Sequence, residues 1–176
     1  MMYMVNPEVD KQIEEAIKFL VFVIRKSGRN PKPVILHSIK VGIHLYNLEY
    51  DKDVVIAAIL HDVIEDTDTK IEEIKLKFGN NVAKLVEANS FDESIEHKTE
   101  RYKENFELCH KAGKDALIIR VADFFDNLDY YNLASTKEFK KWLFDKLKYF
   151  IDNYKDVLKD EIIYNKLVKK YNNIRK

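Results

Sequence analysis

The stretch "AAILHDVIEDTDT", residues 57–69, decides how the chain is read. Ala57 to Leu60 are small or apolar, the composition of a buried helix face. Of the next eight residues five are His or acid: His61, Asp62, Glu65, Asp66 and Asp68. On a helix, His61 and Glu65 stand one turn apart, and so do Asp62 and Asp66. The two pairs are about 100° apart around the axis, so one helix end can offer an imidazole and three carboxylates to one cavity. The spacing predicts one helix running from an Asp51 or Asp53 cap through 66. A helix-end His with solvated acids would account for the adjacent His-Asp pair taken alone.

Two other segments carry the same chemistry. His37 lies in "KPVILHSIKVG", just after a Pro-containing loop, and Asp123 lies in "LIIRVADFFDNL", where an apolar helix turns acidic. A buried acid there needs a partner, because an unpaired buried charge is very costly. A divalent metal would supply one. Two imidazoles and two carboxylates form a mixed N/O set suited to Mn²⁺, Fe²⁺ or Zn²⁺. A cation so held would lower the pKa of bound water toward neutrality.

The rest of the chain sets the frame. Its 176 residues suit one domain, and 46% hydrophobic with 34% charged residues is an ordinary soluble balance. Four glycines and three prolines are few breakers, which favours long helices. Apolar residues at 9, 13, 16, 17, 20, 21 and 24 predict a helix over 9–26, broken by "SGRNPKP" at 27–33. Further helices are expected over 34–48, after a cap at Asp68 or Thr69 with Glu72 or Glu73 completing a capping box, and over 80–90, 99–112 and 114–131. The tail reads as two more, split near 156–160. The expected architecture is all-α: a single-domain helical bundle with an extra C-terminal helical pair.

Zero net charge argues against a nucleic-acid or membrane-surface partner. The single cysteine, Cys109, excludes an intrachain disulfide and fits a reducing, cytoplasmic setting. No signal peptide or spanning segment is expected. The sequence leaves open whether the chain acts alone or as a homodimer.

His37, the pair His61-Asp62, and Asp123, in that order, resemble the pattern of HD-superfamily metal-dependent phosphohydrolases. "HDVIEDT" is more specific, and resembles the hydrolase domain of the RelA/SpoT family and the small alarmone hydrolases. "RKSG" at 25–28 and "AGKDALIIRVADFFDNL" at 112–128 extend the likeness over about residues 15–133. The resemblance implies an HD core over 1–133 and a helical extension over 134–176 packed on the same domain.

The resemblance also implies an activity. It would be removal of the 3′-pyrophosphate from guanosine tetra- or pentaphosphate by a metal-bound hydroxide, with one divalent metal, Mn²⁺ first. His37, His61, Asp62 and Asp123 match the metal ligands, and Glu65 and Asp66 the acidic pair at the attacking water. Arg25, Lys26 and Ser27 match a nucleoside-pocket segment, and Asn127 an Asn that contacts the nucleoside. Arg25, Lys26, Lys40, Arg101 and Arg120 are candidates to neutralise the phosphates. No synthetase domain is visible, so a stand-alone hydrolase is expected.

Two departures bear on substrate. Similar segments read "ADRLHN" where this chain has "ADFFDN", so Phe124 replaces a basic residue and Asp126 a His. Fewer positive charges favour, as the alternative, another nucleotide or nucleoside phosphate, or a non-catalytic nucleotide-binding HD scaffold.

Overall fold

The computed structural model describes residues 6–27 and 33–174. Among these residues every regular element is helical. The break expected at 27–33 lies almost wholly outside the described residues, as does Gly28 of the "RKSG" match. No described helix is long and apolar enough to cross a membrane. The chain divides into two compact units, Met1–Glu87 and Ala88–Lys176.

In the first unit, α1 (Pro7–Ser27) buries Ile13, Ala16, Leu20, Val23 and Ile24, a stripe at helical spacing. It packs on α2 (Val34–Tyr46) and α3 (Lys52–Leu60). Asp51 caps α3 by accepting from the Asp53 amide at 2.8 Å. Every residue of α3 from Val54 to Leu60 is buried, so this helix is core all round. Helix α2 approaches it closely at Gly42, where a Cβ would stand 2.3 Å from Ile59 Cγ1. That glycine is needed for space.

The third helix does not run on to residue 66. It ends at Leu60 with His61 as its C-cap, and after a turn at His61-Asp62 a short α4 (Val63–Asp66) resumes. The break puts His61 and Asp62 on a turn, where their side chains are not bound to one helical face. Next, α5 (Ile71–Phe78) starts one residue later than the expected caps. Thr69 is engaged with Thr67 at 2.8 Å instead, and Glu73 reaches back to the Lys70 amide at 2.9 Å. Only that returning half of the capping box forms, because a lysine side chain has no acceptor. Gly79 ends α5 at φ 93°, a conformation that favours glycine. The unit boundary falls within α6 (Asn80–Asn89).

In the second unit, α8 (Lys114–Asn127) is central and buries every residue from Ala116 to Phe124, together with Asp126. Against it pack α7 (Lys98–Ala112), α9 (Lys137–Leu158) and α10 (Ile162–Ile174). A 3₁₀ turn, Leu128–Leu133, takes the place of the last turn expected of α8. The C-terminal pair is thus fastened directly to the helix that carries Asp123. Lys114 pairs with Glu161 at 2.7 Å, and Lys170 Nζ donates to the Phe125 carbonyl at 2.6 Å. The core between α7, α8 and α9 is aromatic. Phe106 meets Phe150 at 5.0 Å, Tyr102 at 5.4 Å and Phe124 at 5.7 Å between ring centroids. Trp142 fastens α9 to α7 through an edge-on contact with Tyr102 at 6.0 Å.

Candidate functional site

The first unit brings His37, His61 and Asp62 together. His37 is buried one turn into α2, and His61 is buried at the end of α3. Their rings meet edge to face at 5.4 Å. Asp62 lies against both: Oδ1 is 3.1 Å from His61 Nε2, and Oδ2 is 3.8 Å from His37 Nε2. The orientation of His61 is set from behind, where Nδ1 sits 2.7 Å from the Ala58 carbonyl. A carbonyl only accepts, so Nδ1 carries the proton. In the neutral ring Nε2 then keeps its lone pair toward Asp62 and His37. This is the usual support of a metal-binding imidazole, with the far nitrogen pinned by the backbone and the near one presented.

Glu65 and Asp66 occupy α4, both half-buried. Asp66 keeps one helical bond across the turn, its amide donating to the Asp62 carbonyl at 2.9 Å. Arg25, Lys26 and Ser27 form the last turn of α1. Lys26 and Ser27 line a cavity of 140 Å³ with Phe19, Thr67 and Thr69. Arg25 is exposed and does not line it. The turn after "HDVIED" and the end of α1 are therefore neighbours, as a shared pocket requires.

The second unit places Asp123 and Asn127 in contact. Asn127 Nδ2 donates to Asp123 Oδ1 at 2.6 Å. The acid is buried, as expected, but its partner within this unit is a residue, Arg120, whose Nη1 donates to Oδ2 at 3.0 Å. The need for a countercharge is thus met one turn upstream on the same helix. Each carboxylate oxygen carries two lone pairs, so these two bonds leave capacity for a cation.

Arg120 itself is only 2% exposed. Its Nη2 donates to the Asn89 carbonyl and, at 2.9 Å, to Asn105 Oδ1. Asn105 in turn donates to the Ala88 and Ser90 carbonyls at 3.1 and 2.9 Å. Such a guanidinium positions Asp123 and does not reach out for phosphate, which corrects its place among the candidate cations. Arg101 is also committed, its Nε donating to the Ile95 carbonyl at 2.7 Å. Lys40 stays half-buried on α2. Phe124 is buried within the aromatic core, and Asp126 is buried as well.

Sequence reasoning missed the support around Asp123. The i, i+3 spacing of Arg120 and Asp123 was the available signal. Nothing in the sequence marks Asn89 or Asn105. Tyr131 was missed as well. Burial pushes its phenol far above the usual tyrosine range, and the charge on Asp123 adds to the shift. Cys109 donates to the Ala88 carbonyl at 3.1 Å, and its thiol is pushed up by burial. That is a structural thiol, not a nucleophile.

Comparison with known proteins follows the same outline. The family model described as "HD domain" matches residues 16–142. A guanosine-3′,5′-bis(diphosphate) 3′-pyrophosphohydrolase of Aquifex aeolicus is 39% identical over 106 residues, 59% of this chain and 15% of that protein. The chain therefore spans only a small part of that relative. The mouse guanosine-3′,5′-bis(diphosphate) 3′-pyrophosphohydrolase MESH1 is 35% identical over 122 residues, 66% of this chain and 68% of that protein. A solved structure of a metazoan SpoT ortholog that hydrolyses ppGpp superimposes with TM-score 0.79 at 27% identity. It covers 99% of this chain and 98% of its own. With its all-helical fold, its His-Asp turn and these matches, the chain belongs to the HD domain family.

Proposed function

We propose that this protein is a metal-dependent hydrolase that removes the 3′-pyrophosphate from guanosine tetra- or pentaphosphate. The observation that carries the reading is the cluster of His37, His61 and Asp62, with His61 Nε2 presented by the Ala58 carbonyl. Two imidazoles and a carboxylate fit a first-row divalent cation by donor chemistry. We assign His37, His61, Asp62 and Asp123 as its ligands and Mn²⁺ as the cation. When bound, it would supply Lewis acidity and a lowered water pKa.

The chain's own groups then have separate tasks. Glu65 and Asp66, one turn on from the His-Asp pair, would hold the attacking water in line or take its proton. Arg120 and Asn127 hold Asp123 in one orientation, so the acid does not rotate when its load changes. Lys26 and Ser27, at the rim of the cavity beside Thr67, would receive the nucleoside, with Arg25 offsetting phosphate charge and Asn127 touching the ribose or base. The names of the relatives support this substrate, as do the matching motifs. Residues 1–133 would form the HD core and 134–176 an extension of the same domain. Packing of α9 and α10 on α8 supports an extension that belongs to the same domain. A cytoplasmic role in the stringent response follows from the substrate.

A second reading, hydrolysis of another nucleotide or nucleoside phosphate, is favoured by Phe124, an uncharged, buried residue beside Asp123. A panel of nucleotides with Mn²⁺-loaded protein separates the two. Release of pyrophosphate from guanosine tetraphosphate, abolished by chelator and by Asp62→Ala, is the expected result. Turnover of a different nucleotide only would favour the second reading. Binding without turnover of any nucleotide would leave a sensor.

A further inference from the structure

We propose that Thr67, the residue that ends α4, is a positioning residue for the hydrolysis: its hydroxyl fixes the one-turn helix that carries Glu65 and Asp66. This rests on the hydrolase reading above, in which those two acids serve the attacking water. Helix α4 has only four residues, Val63–Asp66. A single turn fixes several backbone angles for very few hydrogen bonds and does not hold itself. Two backbone bonds close this one. The Asp66 amide donates to the Asp62 carbonyl at 2.9 Å, and the Thr67 amide to the Val63 carbonyl at 3.1 Å. A further restraint matters here, because catalytic groups misplaced by about 1 Å lose roughly a hundredfold in rate.

The Thr67 side chain supplies that restraint. Its hydroxyl donates to the same Val63 carbonyl at 2.7 Å, so one carbonyl accepts twice from one residue. The Thr69 amide donates to Thr67 Oγ1 at 3.1 Å, and the Thr69 hydroxyl lies 2.8 Å from it. A hydroxyl has one proton and a carbonyl only accepts. The Thr67 proton therefore goes to Val63, and the Thr69 hydroxyl donates to Thr67. One donation and two acceptances are the whole capacity of Thr67 Oγ1. Val63 is fully buried, so the carbonyl that receives these bonds belongs to a residue anchored in the core. At Thr67 the backbone turns extended, φ −137° and ψ 176°, so the hydroxyl clasps the last turn as the chain leaves it. Thr67 and Thr69 are both buried, and a buried hydroxyl is costly unless bonded. Valine would fill nearly the same volume without that requirement. The two threonines line the cavity beside Lys26 and Ser27, yet a saturated hydroxyl has little left to offer a nucleoside. Its effect falls on the acids one and two residues upstream.

Thr67→Val keeps the shape and removes the clasp. With guanosine tetraphosphate and Mn²⁺, kcat should fall about tenfold or more while KM stays within about twofold, because alignment is lost and substrate contacts are not. Thr67→Ser keeps the hydroxyl and should restore most of kcat. A threonine that merely stabilises the fold makes a different prediction: a lowered melting temperature, with kcat unchanged in assays run well below it. That result, or Thr67→Ser as slow as Thr67→Val, would overturn the proposal.

A second readout needs no turnover. The amides of Asp66 and Thr67 are both bonded within the turn, so their hydrogen exchange reports on it directly. In Thr67→Val they should exchange about tenfold faster than in the native chain, while the amides of α3 keep their native rates. Should Thr67→Val fail to fold, Thr67→Ala, which sets no methyl group against the Val63 carbonyl, carries the same expectations. If the native protein leaves guanosine tetraphosphate intact, the proposed activity fails, while exchange still judges whether Thr67 holds α4. Unchanged exchange at both amides, or an increase spread equally over α3, overturns the inference.

Discussion

Asp62 in the first unit and Asp123 in the second both end an apolar helical run, yet they are held by opposite means. Asp62 lies beside two imidazoles on a turn, framed by a helix whose residues from Val54 to Leu60 are all buried. Asp123 is clamped by a buried guanidinium and an amide, with Asn89 and Asn105 behind them. A neutral imidazole leaves no buried charge stranded when its carboxylate is lost, whereas a buried guanidinium does. Two acids assigned to one chemical task should therefore differ sharply in what they contribute to stability.

The largest expected effect falls where the two acids agree. Asp62→Ala and Asp123→Asn should each lower pyrophosphate release by about a thousandfold or more, roughly 4 kcal/mol of transition-state stabilisation. Stability should then separate them. Asp123→Asn leaves Arg120 buried with its countercharge gone, at a cost of about 3 kcal/mol, while Asp62→Ala should cost less than about 1 kcal/mol. Urea denaturation of the two variants measures the difference. Equal losses would break the contrast. Pairing Asp123→Asn with Arg120→Met sharpens it, since the double variant should recover part of the loss.

A smaller effect tests the frame of the first unit. In Gly42→Ala the new Cβ meets Ile59 Cγ1 at 2.3 Å, so α2 and α3 must shift apart. Overpacking of this kind costs about 2 kcal/mol, read as a lower denaturation midpoint. Because α2 carries His37 and α3 leads into His61, activity should fall further than the stability loss alone explains. Unchanged activity would mean that the histidine pair tolerates movement of its supports.

The two regions also differ in how far the sequence disclosed them. The helices, and the candidate residues His61 and Asp62 that the first unit brings beside His37, were legible because apolar spacing and the compact "HDVIEDT" run are local signals. The break at His61-Asp62 was not, because both residues keep near-helical backbone angles that pattern alone reads as continuous. In the second unit, burial of Asp123 was legible from "LIIRVA". Its partners were not. Asn89 and Asn105 lie 34 and 18 residues away in the chain, and long-range polar contacts leave no periodic trace.

The mildest test concerns pH, and again it divides the regions. Burial raises the phenols of Tyr102, Tyr131, Tyr154 and Tyr164, all in the second unit, with Tyr154 pushed up to about 12. Tyr46 in the first unit is raised chiefly by its hydrogen bond to Asp10, near the surface. A tyrosine titrates near 10 in an unfolded chain, so there the proton is lost first from the unfolded state. A raised folded pKa therefore leaves stability intact below roughly pH 10 and erodes it as pH climbs toward 12. Tyrosinate absorbance followed beside circular dichroism should show four phenols ionising only as helix is lost. Tyr154→Phe, which removes one of these groups without emptying its place in the aromatic core, should move the alkaline midpoint upward. Tyr46→Phe should move it less, because the one hydrogen bond that raises this phenol lies near the surface, where solvent weakens it.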